Sequence, residues 1–410
     1  MSDAELLAAS DIGYFKGGSV FPVRFQGRKS GELPFFKVSD MNTPGNELYM
    51  RAANHYISEA RRKAMGAVRI PAGAIVFAKV GAAVFLERKR ILAQDSCIDN
   101  NMAAFVVDPA KGDVRFIHYL LTNTMLSALV ATTALPSLNA TQLKAVQLRV
   151  PRSLREQREI VEALAAADDY ITLTERLIAK KQAVKRGMMR ELLTGRTRLP
   201  GFTSSWREAL VADLLDFKNG LNKASEYFGS GKPIVNFMDV MRQPVITVGV
   251  VNGLVTLTRD EINRFSARRG DIFFTRTSET VEEVGTAAVL VDDIRDATFS
   301  GFVLRGRPKS PLVNSTFLAM QFQLVQIRKQ VTATASYTTR ALTNGRALGQ
   351  VTVMMPDPLE QAAIVEVITD TDVEITALER RIRVARAIKQ GMMQELLTGR
   401  TRLVPAETSA

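Results

Sequence analysis

This chain repeats the segment EQREIVEALAAADDYITLTERLIAKKQAVKRGMMRELLTGRTRL (Glu156–Leu199) 204 residues later, as EQAAIVEVITDTDVEITALERRIRVARAIKQGMMQELLTGRTRL (Glu360–Leu403). The two copies are identical at 25 of 44 positions. Solenoid and propeller repeats have periods of about 20 to 50 residues, so a period near 200 indicates a whole domain plus a connector. The chain is therefore two tandem copies of one unit.

Apolar residues in each copy recur at alternating spacings of three and four, which is the heptad spacing of a coiled-coil seam. The seam residues are Ile160, Leu164, Ala167, Ile171, Thr174, Ile178, Met188 and Leu192 in the first copy, and Ile364, Ile368, Thr371, Ile375, Leu378, Ile382, Ala385, Met392 and Leu396 in the second. Pro151 and Pro356 lie just upstream, and Gly195 and Gly399 follow as C-terminal caps. We predict two helices, each about 57 Å long.

A helix of that length with so narrow an apolar stripe needs a partner. We predict that the two copies pair antiparallel, which would place the two globular heads at opposite ends of one rod. The alternative is that each helix packs only on its own head.

The heads match each other only faintly, as in FKGG (Phe15–Gly18) against FKNG (Phe217–Gly220). Short β-rich runs bounded by Gly, Pro and Asp, followed by a helix-like stretch, predict an α+β fold for each head. The predicted segments are a first recognition domain (1–150), a first spacer helix (151–199), a second recognition domain (200–355), a second spacer helix (356–403) and a flexible tail (404–410). Similar helices joined to dissimilar heads indicate heads that bind different targets.

Composition restricts the class of partner. The chain has 54 Lys and Arg against 42 Asp and Glu, a formal charge of +12, which favours nucleic acid or a membrane surface. No apolar run is long enough to span a bilayer, and the acidic N-terminus is unlike a signal peptide. The single Cys97 excludes an internal disulfide and is interpreted as buried and inert. We expect a cytoplasmic protein.

The order of head, long helix, head, long helix resembles the specificity subunit of type I restriction-modification enzymes. The resemblance rests on a proline followed by Glu156-Gln157 or Glu360-Gln361, on the LLTGRTRL endings, and on runs such as GDIFFTRTSETVEEVG and LPSLNATQLKAVQLRVP. It covers essentially the whole chain. One departure is the first head, which lacks the lead-in around Trp206 and begins MSDAELLAASDIGYFKGG instead.

The resemblance implies a non-catalytic subunit with a pseudo-two-fold internal repeat. Each head would read one half of a bipartite target in double-stranded DNA. The antiparallel helices would set the spacer and dock two methyltransferase subunits, and two restriction subunits can join in some complexes. It implies no cofactor on this chain, with S-adenosylmethionine, Mg²⁺ and ATP bound by partners. A four-residue insertion before Thr194 should then lengthen the spacer.

Candidate DNA contacts lie in turns rich in Arg, Lys, Ser, Thr and Asn, which suit phosphates and base edges. In the first head they are Lys37, Ser39, Asp40, Arg61, Arg62, Lys63, Lys79 and Asn139. In the second head they are Asn236, Arg268, Arg276, Thr277, Ser278, Glu279, Arg340, Asn344 and Arg346. Solvated loops and charged faces explain the same residues, and Asn139 and Asn344 could simply form turns. The outer helix faces, rich in Arg and Lys, are candidate docking surfaces: Arg176, Lys180, Lys181, Arg380, Arg381 and Arg383.

Enzymatic classes find little support. His55 and His118 are the only histidines, far apart and without a neighbouring Cys, so neither a zinc site nor a His-based triad is indicated. FGSGKP (Phe228–Pro233) lacks the first glycine and the Ser or Thr of a phosphate loop. Two alternatives remain: a two-headed coiled-coil adaptor without DNA specificity, and an enzyme fused to its own reader, for which we find no catalytic cluster or cofactor motif.

Overall fold

The computed structural model describes residues 4–130, 136–337 and 340–403. The chain forms two compact units: unit 1 comprises Met1–Glu175 with Arg380–Ala410, and unit 2 comprises Arg176–Glu379. Two 39-residue helices, α5 (Leu154–Leu192) and α12 (Pro358–Leu396), are each divided between the units. Each unit therefore contains one head, the first part of one long helix and the last part of the other. The predicted tail at 404–410 lies outside the described residues.

The described residues of head 1, in unit 1, form ten strands and four short helices. The strands are β1 Ala4–Ala8, β2 Gly13–Gly17, β3 Leu33–Phe36, β4 Tyr49–Met50, β5 Tyr56–Ile57, β6 Ile75–Ala78, β7 Lys89–Leu92, β8 Cys97–Ile98, β9 Met102–Val107 and β10 Gln147–Pro151. The helices are α1 Ala9–Ile12, α2 Glu59–Ala64, α3 Val114–Asn123 and α4 Ala140–Lys144, with 3-10 turns at Val23–Phe25, Val38–Asn42, Ala82–Leu86 and Leu126–Leu129. The central sheet has the order β2-β9-β6-β7-β4, beside β5-β3-β8 and the pair β1-β10.

Head 2 in unit 2 is built in the same way. Its strands are β11 Arg207–Leu210, β12 Leu215–Asn219, β13 Phe228–Val235, β14 Val245–Ile246, β15 Gly253–Val255, β16 Ile272–Thr275, β17 Thr277–Ser278, β18 Ala287–Leu290, β19 Thr298–Phe299, β20 Val303–Pro308, β21 Ser336–Tyr337, β22 Ala341–Leu342 and β23 Thr352–Met355. Its helices are α6 Val211–Leu214, α7 Phe237–Met241, α8 Arg259–Arg264, α9 Ser315–Gln321, α10 Val325–Ala333 and α11 Gly345–Gly349, with 3-10 turns at Ser225–Tyr227 and Val281–Glu283. The orders are β12-β20-β16-β18-β14, β15-β13-β19, β11-β23 and β17-β22-β21.

The two heads thus share a strand order although their sequences barely match. The weak match FKGG against FKNG has a steric cause. A Cβ on Gly18 would lie 1.8 Å from the carbonyl oxygen of Asp99, and a Cβ on Gly220 would lie 2.0 Å from that of Ser300. Only glycine permits this close approach of two backbones. The α+β class predicted from the sequence is confirmed.

In the central sheet of head 1, every residue of β6 is buried because both faces of the strand are covered. Ile75 and Phe77 pack with Phe116 of α3 on one face, and Val76 packs with Phe36 on the other. A strand buried on both faces is apolar throughout instead of alternating. This explains the run AIVFA in the sequence.

The long helices have the predicted seam and the predicted ends. Every predicted seam residue is buried or half-buried. Gly195 adopts a left-handed φ of 70°. Its N–H donates to the carbonyl of Leu192 at 3.3 Å, and the N–H of Arg196 donates to that of Glu191 at 3.1 Å. The same two bonds recur around Gly399, at 3.2 and 2.9 Å. This pair of bonds is the Schellman motif, which explains why both copies keep the glycine.

Within unit 1, the first part of α5 pairs antiparallel with the last part of α12. Lys389 Nζ lies 2.5 Å from the Asp168 carboxylate, and Arg386 Nη2 lies 2.5 Å from that of Glu175. Residue numbers rise along one helix as they fall along the other, so the helices run in opposite directions.

Within unit 2, the remaining parts of the helices pair in the same way. Lys185 Nζ lies 2.5 Å from Asp372, and Lys181 Nζ lies 2.6 Å from Glu374. The first of these pairs repeats the aspartate–lysine pair of unit 1 at an offset of 204, with the helices exchanged. The predicted antiparallel coiled coil is therefore present in each unit.

Each head packs on both long helices. The core of unit 1 includes Leu164 of α5 and Leu396 of α12, and the core of unit 2 includes Leu192 of α5 and Ile368 of α12. The alternative in which a helix packs only on its own head is wrong, because each apolar helix end lies beside the other helix as well as beside a head.

An ion pair in each unit explains why the EQ and TGRTRL motifs are the same in both copies of the repeat. In unit 2, the Glu360 carboxylate is 1% exposed and accepts from Arg198 Nε at 2.6 Å, Arg198 Nη2 at 2.7 Å and Trp206 Nε1 at 3.1 Å. In unit 1, Glu156 accepts from Arg402 at 3.0 and 2.7 Å. The glutamate at the start of each long helix therefore forms an ion pair with the arginine just beyond the end of the other long helix. This explains why both copies of the repeat contain EQ and TGRTRL.

Candidate nucleic-acid interface

A loop in head 1 at residues 22–28 is held in place by side chains from elsewhere in the head; we refer to it as the arginine loop. The N–H of Gly27, at a φ of 95°, donates to His55 Nδ1 at 2.8 Å. Gln26 Nε2 donates to the carbonyl of Phe21 at 2.8 Å, and the Phe21 ring stacks on Phe35 at 3.8 Å. Burial lowers the pKa of His55, which keeps Nδ1 free to accept this bond. The loop is thus preformed.

A cavity of about 350 Å³ lies between the arginine loop and helix α2. Three exposed arginines line it: Arg24, Arg28 and Arg61. The ring of Phe25 lies 4.8 Å from the Arg24 guanidinium carbon and 4.2 Å from that of Arg61. Stacking on an aromatic ring orients a guanidinium while leaving its N–H edge available. Of these three, Arg61 was predicted from the sequence and Arg24 and Arg28 were not, although the basic run VRFQGRK was a usable signal.

The other predicted residues of head 1 near α2 divide into two groups. Lys37 Nζ donates to Gln26 of the arginine loop at 3.2 Å, and Lys63 is exposed nearby on α2. Asp40, by contrast, is fully buried, and its carboxylate accepts from the Lys37 N–H at 2.7 Å and from Asn54 Nδ2 at 2.7 Å. These bonds give Asp40 a structural role in closing a turn.

Two further predicted residues of this region differ in exposure. Arg62 is half-buried and binds Glu59 at 2.8 Å and the carbonyl of Ala67 at 2.7 Å. These contacts tie α2 to the chain that follows it. Ser39, in the 3-10 turn at Val38–Asn42, is exposed.

Lys79 and Asn139 are brought together, although they are far apart in the sequence. The Leu138 N–H donates to the Lys79 carbonyl at 2.8 Å. The Asn139 side chain accepts from the Gln142 N–H at 2.7 Å and caps α4. The turn-forming interpretation of Asn139 therefore describes its contacts, and its DNA contact stays a prediction.

In head 2, the structure joins two candidate loops into one site. Strand β17 pairs with β22, so that Ser278 lies opposite Ala341, and the Thr343 N–H donates to the Arg276 carbonyl at 2.9 Å. A cavity of about 480 Å³ opens beside this sheet. It is lined by the predicted residues Thr277, Ser278, Glu279 and Arg340 together with Phe237, Thr280, Glu283 and Phe302.

The cavity of head 2 is polar with an exposed aromatic rim. Ser278 is buried, and its hydroxyl donates to Glu283. Arg340 lies 3.7 Å from Glu279, and both side chains are exposed. Phe302, which was not among the predicted residues, lines the cavity and is 62% exposed. Donors, acceptors and an open aromatic ring in one cavity suit the edges and methyl groups of bases.

The remaining predicted residues of head 2 lie outside this cavity. Asn344 accepts from the Ala347 N–H at 2.9 Å and caps α11, on which Arg346 is exposed. Asn236 precedes α7, where its N–H donates to Asp239. Arg268 is exposed and lines a separate cavity of about 360 Å³.

Head 2 also has a group of cationic side chains around Phe265 that was not predicted from the sequence. The Phe265 ring lies 5.8 Å from Lys218 Nζ and 5.4 Å from the Arg264 guanidinium carbon. Burial lowers the pKa of Lys218, as do the neighbouring charges of Arg305, Arg264 and Arg307. These cations come from three separate segments, so no local run in the sequence showed that they meet.

In residues 4–130, 136–337 and 340–403, no three His, Cys, Asp or Glu side chains are grouped so as to hold a metal ion. The helices of that same part of the chain include none with the length and apolarity required to cross a membrane. Cys97 is buried as predicted, and burial raises the pKa of its thiol to about 11.

Comparison with known proteins shows a family resemblance over the first part of the chain. Residues 1–181 match the family described as "Type I restriction modification DNA specificity domain". The matched region covers all of head 1 and most of α5, so the predicted resemblance to the specificity family is confirmed for this part of the chain.

Solved structures show that the fold of the whole chain is similar to that of known specificity subunits. The type I restriction-modification S subunit from M. genitalium is 12% identical, with 97% of this chain and 96% of that chain covered and a TM-score of 0.57. The HsdS subunit from Thermoanaerobacter tengcongensis is 15% identical, with 97% of both chains covered and a TM-score of 0.53. A chain from a study of complex assembly and conformational transition in a type I system is 14% identical, with 96% of this chain and 97% of that chain covered and a TM-score of 0.59.

Proposed function

We propose that this chain is the DNA-reading subunit of a type I restriction-modification complex and has no catalytic activity of its own. Each head reads one half of a bipartite target in double-stranded DNA. The observation that carries the proposal is a pair of heads with one strand order but different exposed surfaces, joined to repeated helices in a chain whose first part matches the specificity family.

The different surfaces support an asymmetric target. Head 1 presents a cavity among three arginines, whereas head 2 presents a polar cavity with an exposed Phe302. Direct readout depends on which donors, acceptors and apolar groups meet each base pair. Two different surfaces on one scaffold therefore select two different half-sites.

The long helices are proposed to dock two methyltransferase subunits. Val184 and Ile388, which occupy equivalent positions 204 residues apart, are 52% and 56% exposed. Leu173 and Val373 are each 63% exposed. Exposed apolar side chains along a helix suit packing against helices of another protein. Of the basic candidates, Lys181 is bound to Glu374, whereas the other five are exposed: Arg176, Lys180, Arg380, Arg381 and Arg383.

On this proposal, transfer of the methyl group takes place on the partner subunits. These partners bind S-adenosylmethionine, and a restriction partner, where one joins, uses Mg²⁺ and ATP. This chain supplies the choice of sequence and the distance between half-sites.

Methylation in cells tests the proposal. We expect methyl-adenine at one split motif, two short half-sites around a fixed gap, in cells with the cognate methyltransferase and this gene. Deleting the gene should remove methylation at that motif, and restoring the gene should return it. Modified-base sequencing measures both. An unchanged pattern after deletion would leave the two-headed adaptor as the better interpretation.

The length of the helices should set the gap. Four residues inserted into both helices, after Glu175 and after Glu379, lengthen each by about 6 Å, close to two base-pair steps. We expect the gap to grow by about two base pairs with both half-sites unchanged, as measured by modified-base sequencing. Seven inserted residues keep the heptad register and should add about three base pairs. An unchanged gap in both variants would contradict the spacer role.

A further inference from the structure

We propose that the cavity between the arginine loop and α2 binds a phosphate of the DNA backbone at the half-site read by head 1. This inference rests on the proposed function and adds to it the residues that anchor one head. Arg24, Arg28 and Arg61 are assigned as the anchoring side chains, with Phe25 as the platform that orients two of them.

The charge around the cavity favours an anion as its ligand. Among the described residues, no carboxylate lies within ion-pair distance of Arg24, Arg28 or Arg61, while Arg62 and Arg69 of the same region are bound to Glu59 and Asp95. Three cations around one cavity of about 350 Å³ repel one another. An anion with its charge concentrated in a small group relieves that repulsion better than the neutral edge of a base.

The cationic side chains of the cavity are also held in place before a ligand binds. The Phe25 ring holds two guanidiniums, and the Gly27 N–H bond to His55 fixes the backbone between Arg24 and Arg28. The Tyr56 N–H also donates to the Arg28 carbonyl at 2.8 Å. Side chains held before binding lose less conformational entropy when they meet a ligand.

The equivalent place in head 2 gives an internal comparison. Helix α8 of head 2 corresponds to α2, and its third residue is Glu261 where α2 has Arg61. Glu261 accepts from Lys223 Nζ at 2.7 Å, and that Nζ lies 4.6 Å from the Tyr227 ring. Both heads therefore place a cation on an aromatic ring at this site. Among the described residues, only the cations of head 1 lack a carboxylate at this place, so the anion site belongs to head 1.

The test uses the full chain assembled with its methyltransferase subunits. Binding to a duplex carrying the motif, and to a duplex of equal length without it, is measured across a range of KCl concentrations. We expect Arg24→Gln/Arg61→Gln to weaken binding to both duplexes by the same factor, about tenfold or more at moderate salt. The slope of log K against log[KCl] should become shallower by about 1 to 2, because fewer counterions are released. Glutamine keeps a long side chain on Phe25 without the charge.

Two control variants interpret the result. Arg69→Gln removes a cation of the same head that is already paired with Asp95, and should leave the salt slope unchanged. Arg24→Lys/Arg61→Lys keeps the charge and should retain most of the slope. Thermal unfolding of each variant checks that head 1 remains folded.

An unchanged slope in the glutamine variant, or a loss of affinity confined to the motif duplex, would overturn the phosphate assignment. Failure of the proposed function is seen separately, because the unsubstituted complex would then bind both duplexes equally. Even in that case the slope on either duplex decides whether the cavity contacts phosphate.

Discussion

Replacing Gln157 with leucine should lower the free energy of unfolding of unit 1 by about 2 to 4 kcal/mol. The Gln157 side chain is fully buried. Its Oε1 accepts from the Asp113 N–H at 2.7 Å, and its Nε2 donates to the carbonyls of Pro151 at 2.8 Å and Lys111 at 3.3 Å. Leucine fills the space but leaves these backbone groups without partners, and burying an unpaired polar group is costly.

Unit 2 repeats the arrangement with Gln361, which accepts from the Asn314 N–H at 2.8 Å and donates to the carbonyl of Pro356 at 2.9 Å. Gln361→Leu should destabilise unit 2 by a similar amount. Trp206 is the only tryptophan and lies in unit 2, so its fluorescence follows that unit during urea unfolding, while circular dichroism follows both. We expect the Trp206 transition to move more in the Gln361 variant than in the Gln157 variant.

Glu162→Leu and Glu366→Leu are matched controls, since both glutamates are exposed, lie on the same helices and are 204 residues apart. Their unfolding midpoints should stay close to that of the unsubstituted chain. Equal midpoints for the glutamine and glutamate variants would show that the buried amide contributes little to the attachment of the heads to the helices.

Unit 1 should lose stability in mild acid because of His118. The pKa of His118 is lowered to about 4, chiefly by burial, and the charges of Arg90 and Arg115 act in the same direction. Its Nε2 lies 3.1 Å from the Lys89 carbonyl, whereas Nδ1 has no hydrogen-bond partner among the described residues. A proton added at Nδ1 would therefore be a buried, unpaired donor close to two arginines.

The sign follows from proton linkage. In the unfolded chain the pKa of a histidine is about 6.5, so between pH 6.5 and 4 the unfolded state binds more protons than the folded one. The stabilisation is complete above pH 6.5 and is lost as the pH falls towards 4. From pH 7.5 to pH 5 the loss should be about 2 kcal/mol.

His118→Gln should remove most of this pH dependence, because glutamine can still donate to Lys89 but does not titrate. Urea unfolding of both proteins at pH 7.5, 6.5, 5.5 and 5.0, followed by circular dichroism, measures the difference. Both histidines of the chain lie in unit 1, so the Trp206 transition of unit 2 should lack this histidine-dependent loss. A parallel loss of stability in the glutamine variant would assign the acid sensitivity to other titrating groups, namely His55 or the carboxylates.

Local pattern was sufficient for the large features of this chain. Heptad spacing predicted both long helices, because a helix places every third and fourth residue on one face. Gly195 and Gly399 predicted the helix ends, because the closing turn needs a left-handed residue. The repeat itself established two copies, and the order of the segments with their repeated motifs pointed to the specificity family.

Candidate contacts were harder to choose, because the exposure of a side chain depends on segments distant in sequence. The sequence around Asp40 has the polar composition of a binding turn. The Asp40 side chain nevertheless lies in the core, where it accepts a hydrogen bond from Asn54. Arg24 and Arg28 lie in a basic run that was overlooked, but the conformation that brings them to one cavity depends on the distant His55. In each case the deciding partner lies at least 14 residues away along the chain.

The sequence by itself thus determined the repeat, the long helices with their seam and caps, and the family resemblance. Each of these depends on residues that are close together in the chain or on repeated motifs. Only the tertiary structure decided which residues those motifs contact. It paired Glu156 with Arg402 and Glu360 with Arg198, and it joined the loop around Ser278 to the strand at Ala341. Contacts between distant segments depend on how apolar faces pack and which hydrogen bonds close, and no spacing along the chain specifies either.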